Sequence, residues 1–475
     1  MSGKFTLNPA NGANVIGAAN SAGILVPQTD WQSAKAGLHK APLVTGREAQ
    51  HIRRGLFSAQ PNRKVLLALR NVADLYVYAG NTAGLADTAM NDALYGAGTA
   101  IRFTTTNNVT HVLANPTVMA TPVDMTNQIL RLMFRPVSGM NNLLSWGIRL
   151  FSSGSPAAVP ANYHVIWTDI RYRLTGGTGA TPGRWQGFSS HIGNAVAVGS
   201  GADLTKVTWA ALELKSQGGS MVVDLGNLES VPNLLNKARI IFGFDDAYAN
   251  QFTNALPILA AAGMPAVLYP STIANKIDVD PQWLTSDQIK ILHDVHGWQI
   301  ASQAYTSESA ALIDGMSEDQ RTVDFQRYRL WQRAMGVSGG EHGSYFSGVS
   351  QSDMVAVPTF RKFYRNIRCF YSGMGAGLPF KCGETFPFGD NTLVRALNGA
   401  SWSDATNTSQ IKLQIDQTIA QKGVLFIVYH NEINGSGSNV EQGFKDAVAY
   451  CAAQQAAGNL QVCTEEDLYY PLMTF

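Results

Sequence analysis

The sequence predicts two folds in series: a jelly-roll-like all-β sandwich, then an irregular α/β barrel of (β/α) type. Three observations carry this. From about residue 62 to 230, short apolar and aromatic runs with a period of two are separated by glycine-rich turns. From about residue 233, apolar strands alternate with amphipathic helices, the pattern of a parallel sheet. Three of those later strands end in polar residues, Asp245-Asp246, Ser302-Gln303 and His430-Asn431, and strand ends converge on one face of a barrel.

Bulk properties narrow the function classes. The chain has 475 residues, a formal net charge of +1 and 15% charged residues, so it offers no electrostatic case for nucleic acid or acidic membranes. No apolar run reaches the roughly 18 residues of a spanning helix, so no membrane insertion is expected. The first residues, Met1 to Pro9, carry no apolar core of a secretory signal, and none is expected. Cys369, Cys382, Cys451 and Cys463 fall in no C-x-x-C spacing. They read as buried thiols by default, with one disulfide left open.

Residues 1–55 are rich in Asn, Gly and Ala, with isolated apolar pieces such as Ile24-Leu25-Val26. Such a leader cannot bury a core alone, which suits attachment or oligomerisation. Residues 56–232 form the sandwich, with strands expected at 64–69, 74–78, 100–104, 128–134, 147–151, 163–167, 170–174, 207–214 and 221–225. Trp146, Trp167, Trp185 and Trp209 lie in this half. Each is either a core residue, the commoner role, or an aromatic surface on which a sugar ring stacks.

Residues 233–475 form the barrel. Ile240 to Phe244 is a buried strand that runs into Asp245-Asp246. Phe252, Leu256 and Leu259 then share a helix face, and Gly263 stops that helix. A strand at 266–269, a helix at 286–296 closed by Gly297, and a strand at 298–301 follow. Ser317 and Gln320 open a long helix with a capping box. A strand at 366–371, a helix through Ile411, Ile415 and Ile419, a strand at 424–428, a helix at 440–457 and a strand at 460–462 complete the pattern.

Two acids after a strand have two readings. They are a metal ligand and a base, or only a turn and a helix cap. From residue 236 to the end the chain resembles the NodB-type polysaccharide deacetylases, a carbohydrate esterase family built on an irregular β/α barrel. The resemblance rests on Phe244-Asp245-Asp246, on Leu284 to Gln288 leading to Gly297-Trp298-Gln299-Ile300-Ala301-Ser302, on Val428-Tyr429-His430, and on Thr464 to Tyr469. It implies that Asp245 is the general base, Asp246 a ligand of a zinc-like divalent metal, and His430 the general acid. It puts Tyr248, Gln303, Tyr305 and Tyr345 on the sugar-facing side.

The same resemblance places Gln303 and Ser307 where the family has its two metal histidines. The stretch Gly343 to Gly348 lacks the family's usual Arg and Pro. A carboxylate, an amide and a hydroxyl are a poor zinc set. His293 and His296 read as helix-surface histidines, and His342 lies nearby in sequence.

The order leader, sandwich and deacetylase-like barrel, without an export signal, resembles bacteriophage tail-fibre and tailspike proteins. This implies a virion location, a homotrimer, contact with other tail proteins through the N-terminus, and bacterial surface polysaccharide (lipopolysaccharide or capsule) as ligand. The expected function is receptor binding through a barrel with a degraded metal site. The alternative is an active metal-dependent deacetylase of N- or O-acetylated surface glycans.

Overall fold

The structure is a computed structural model. It describes residues 4–8, 14–18 and 63–469, except 81–83, 93–95, 169–182, 307–314, 338, 340, 346–358, 361, 371–382, 392–393 and 400–406. Ser307, Cys382 and the strand expected at 170–174 lie outside the described residues. In the leader, β1 (Lys4–Asn8) pairs antiparallel with β2 (Asn14–Ala18).

The sandwich consists of β3 (Lys64–Leu67), β4 (Tyr76–Ala79), β5 (Leu85–Asp92), β6 (Gly96–Thr104), β7 (Thr110–Ala114), β8 (Gln128–Ser138), β9 (Leu143–Phe151), β10 (Tyr163–Trp167), β11 (Gln186–His191), β12 (Val196–Val198), β13 (Trp209–Ser216) and β14 (Val222–Pro232). One sheet has the order β12-β10-β9-β13-β7-β4, the other β11-β8-β14-β6-β5 with β3 on β14. Strand alternation turns Trp146, Ile148 and Leu150 of β9 and Leu212 and Leu214 of β13 toward Leu130, Leu132 and Phe134 of β8, which makes the core. Trp146, Trp185 and Trp209 are buried, whereas Trp167 is exposed.

The second half is built on a curled parallel sheet, β17-β16-β15-β21-β20-β19-β18 with β22 on β15. Its strands are β15 (Ala238–Asp245), β16 (Val267–Tyr269), β17 (Gln299–Ile300), β18 (His342–Ser344), β19 (Asn366–Phe370), β20 (Val394–Asn398), β21 (Val424–Tyr429) and β22 (Leu460–Val462). The two edges meet at Ser302. Its amide donates to the His342 carbonyl at 2.9 Å and its carbonyl accepts from the Ser344 amide at 2.9 Å. Helices α1 (Leu256–Ala261), α2 (Ile273–Lys276), α3 (Ser286–Asp294), α4 (Glu318–Met335), α5 (Asn407–Gln421), α6 (Asn439–Ala456) and α7 (Glu465–Tyr469) accompany it. α3 and α4 open with the capping boxes Thr285/Gln288 and Ser317/Gln320.

The alternation along β15 positions the site. Ile240, Phe242 and Phe244 join the helix-facing core with Leu259 and Phe444. Ile241 packs with Tyr269, Phe426 and Val428 on the inner side. Gly243 lies between, where an added Cβ would come within 3.0 Å of Val428 and 3.3 Å of Tyr269. Asp245 is next in the inward series, so period two aims its carboxylate into the barrel.

The two halves pack through β11 and its flanks. Arg184 pairs with Asp390 at 3.1 Å, Ser189 shares a hydrogen bond with Thr385 at 2.7 Å, and Gln421 donates to Asn194 at 2.7 Å. The backbones at Gly187 and Gly389 approach so closely that a Cβ at 187 would lie 1.6 Å from the Gly389 carbonyl oxygen. Only glycine fits there.

Candidate active-site edge

Asp245 is fully buried and paired on both carboxylate oxygens. Oδ1 accepts from Nη2 of Arg368, a residue of β19 that is also fully buried. Oδ2 faces Nε2 of His430 at 3.6 Å. The His430 side chain retains 29% exposure, so it is the member of this group that meets solvent. Glu432 stands behind it, with Oε1 3.8 Å from Nδ1 of His430 and Oε2 accepting from the His430 amide at 2.6 Å.

Gln251 ties these strand ends together. Its Nε2 donates to the carbonyls of Asp245 at 2.7 Å and His430 at 2.8 Å. Gln251 opens a single π-helical turn, Gln251–Ala255, that leads into α1. Such turns are rare and gather at functional sites.

Asp246 and Ala247 both adopt left-handed backbone, with φ of 68° and 64°. Asp tolerates that region and Ala does so at a cost. The turn is held by the Asp246 amide on the Tyr269 carbonyl at 3.0 Å and by the Leu284 amide on the Ala247 carbonyl at 2.8 Å. It carries the second acid past the strand end, beside Ser271. There Oδ1 accepts from the Ser271 hydroxyl at 2.8 Å. Burial pushes the Asp246 carboxyl above the usual carboxylate range, and the Asp245 charge adds to this.

Tyr248 and Trp283 line the rim. Their rings lie 4.2 Å apart, and Nζ of Lys276 sits 3.9 Å from the Trp283 ring centre. Burial first, then the charges of Asp246 and Glu432, raise the Tyr248 phenol above its ordinary value.

Not every expected residue belongs to this edge. Gln303 is buried between Ser302, which closes the barrel, and Ala304, which pairs with Ser271. Tyr305 is half-buried against the helix-facing core, and its amide donates to Asp324 at 2.9 Å. Tyr345 is a correction. It is buried among Phe325, Phe360 and Tyr364, so its ring is core packing and not a sugar-facing wall. His293 is a second correction. It is buried on α3 and bonded to Asp294 at 2.7 Å, not a surface histidine. His342 is buried at the start of β18, where Nδ1 lies 2.5 Å from Asn366 Oδ1 and 3.1 Å from Glu465 Oε2.

The guanidinium at this edge is that of Arg368, which pairs with Asp245. Arg368, Gln251, Ser271 and Trp283 were all absent from the expected site.

A divalent metal does not fit the donors described. Asp246 is the one carboxylate turned out at the expected place, and Ser271 already occupies its Oδ1. Among the described residues no three His, Cys, Asp or Glu side chains stand where they could hold a metal ion. The remaining nearby oxygens are hydroxyls and amides, weak partners for a zinc-like ion.

No family model and no curated protein matches the chain. Among solved structures, a family 4 carbohydrate esterase from Streptomyces lividans in complex with acetate aligns at 14% identity, over 48% of this chain and 92% of its own, with a TM-score of 0.29. A family 4 carbohydrate esterase from Bacillus anthracis aligns at 14% identity, over 50% and 85%, with a TM-score of 0.31. A family 11 carbohydrate-binding module of a Clostridium thermocellum cellulase aligns at 11% identity, over 36% and 95%, with a TM-score of 0.25. Likeness at this level says nothing about the chemistry of this chain.

Proposed function

We propose that the edge formed by Asp245, Asp246 and His430 recognises bacterial surface polysaccharide, keeping the acid–base half of a deacetylase-type site without its metal-holding half. The observation that carries the reading is the pairing of Asp245. Its carboxylate is held by Arg368 inside the barrel and faces a solvent-reaching His430, while Asp246 is held by Ser271. A carboxylate, an imidazole and the Tyr248–Trp283 rim together suit a ligand that is rich in hydroxyls and has apolar ring faces.

On the same reading the chain is a phage receptor-binding protein, trimeric and attached through residues 1–55. The order of leader, sandwich and barrel supports this, and sedimentation of the full chain tests the trimer. A second reading, an active metal-dependent deacetylase, is favoured by the retention of Asp245, Asp246 and His430 together.

The test is binding of purified lipopolysaccharide and capsule to the full chain and to Asp245→Asn and His430→Ala. Binding that weakens about tenfold in both variants supports the first reading. Acetate release by the wild type, abolished in Asp246→Ala, replaces it with the second.

A further inference from the structure

The outer face of the β12-β10-β9-β13-β7-β4 sheet points to a second ligand site, separate from the barrel edge. Register places the side chains. Trp167 of β10 stands opposite Gly147 of β9, which stands opposite Glu213 of β13. In the next row Val165, Arg149, Ala211, Ala114 and Tyr76 face one another across the sheet. All these residues alternate with core residues such as Trp146, Ile148 and Leu212, so they lie on the face turned away from the sandwich core.

The middle of this face is closed by a buried cluster of Val112, Ala114, Phe151, Trp209 and Ala211, and Val165 and Glu213 are buried too, so what is open lies at Trp167 and along the two edges. Trp167, at 54% exposure, lies over Gly147, where an added Cβ would come within 2.9 Å of the indole ring. One indole face therefore rests on the sheet and the other meets solvent. Tyr76 and Val196, on the two edge strands, are also exposed, at 38% and 59%. Between them is a fixed charge pair. Nε of Arg149 donates to Glu213 Oε2 at 2.7 Å, Nη2 donates to the same oxygen, and Nη1 donates to the Tyr78 hydroxyl at 3.3 Å. Both Glu213 contacts use Oε2, which leaves Oε1 to accept from a further donor. The Arg149 guanidinium sits over the Tyr163 ring at 4.9 Å, and Trp209 stacks on Phe151 at 3.7 Å beneath.

We infer that this face binds an uncharged glycan chain, with Trp167 as stacking platform and the Arg149–Glu213 pair as hydroxyl reader. Charge complementarity selects that occupant. The pair is balanced, so the face attracts neither anion nor cation, yet it presents donor and acceptor groups in fixed positions. The aromatic surface matches the apolar face of a sugar ring. The six strands at about 4.8 Å each span roughly 24 Å, with Trp167 exposed toward one edge and Tyr76 at the other. Among the described residues the polar contacts to the barrel come from β11 and its flanks. The site stands or falls separately from the barrel edge.

The test is affinity gel electrophoresis of the full chain in mixed-linkage β-glucan, xyloglucan, galactomannan and dextran. The wild type is retarded by at least one of these. Trp167→Ala weakens that retardation about tenfold with an unchanged melting temperature. Gly147→Ala weakens it as well by lifting the indole. The inference is overturned if no polysaccharide retards the wild type, or if Trp167→Ala runs like the wild type. Breakdown of an oligomer by Trp167→Ala in sedimentation makes the face an interface between copies and overturns it too.

Discussion

Arg368 and Asp245 lie 123 residues apart in sequence and meet inside the barrel as a fully buried ion pair. Arg368 also covers the Tyr269 ring, with its guanidinium carbon 4.5 Å from the ring centre. Below it the Tyr269 hydroxyl donates to Glu465, which accepts from Asn366 at 2.6 Å. The barrel is thus filled by a polar column from the site edge to α7. Buried polar groups of this kind hold together only when each is partnered.

Removing one member of the pair strands the other. Arg368→Met leaves the Asp245 charge buried without its guanidinium and costs about 3–5 kcal/mol in chemical denaturation. Asp245→Asn combined with Arg368→Met recovers part of that loss, because no charge remains unpaired. Equal destabilisation by the single and double variants contradicts the pairing.

Asp246 sets a pH dependence. Its folded pKa is raised above the unfolded value, so the folded state holds the proton more tightly. Its contribution to stability is therefore greatest below the unfolded pKa and declines as pH rises through the folded one. Asp246→Asn is expected to raise the melting temperature at pH 7, with the gain vanishing near pH 3. A variant that melts lower than wild type at pH 7 contradicts this.

The positions where the resemblance expects metal histidines suggest a gain of function. Gln303 neighbours the residue that pairs with Ser271, and Ser271 holds Asp246. On that resemblance, histidines at 303 and 307 would supply two strong nitrogen donors alongside that carboxylate. Gln303→His with Ser307→His is expected to bind zinc at one equivalent by calorimetry, at least about tenfold more tightly than wild type. Equal affinities count against Asp246 as the expected ligand position.

The contact at Gly187 predicts how the halves are joined. Gly187→Ala forces a methyl group into the Gly389 carbonyl and costs about 1–3 kcal/mol. A neutral outcome in thermal unfolding shows that the interface gives way freely.

Much of the chain was legible because alternation and helix signals were strong. The strand into Asp245, the capping box at Ser317, and the stops at Gly263 and Gly297 follow from local chemistry. β11, Gln-Gly-Phe-Ser-Ser-His, was not legible. It is buried along its whole length by packing on the other half, so it shows no alternation. Arg368 in Asn-Ile-Arg-Cys-Phe reads as an outward residue of a strand, and only closure of the barrel turns it inward. Tyr345 erred the other way, because an aromatic at a strand end looks the same in sequence whether it faces a ligand or a core. The π-turn at Gln251 has no local sequence signal at all.

The central claim is that surface polysaccharide is held at the Asp245–His430 edge without a metal. Its most direct test is the binding isotherm of purified host surface polysaccharide on the full chain, measured with and without excess chelator. The account predicts the same dissociation constant in both. Binding that is lost in chelator and restored by added zinc would contradict it.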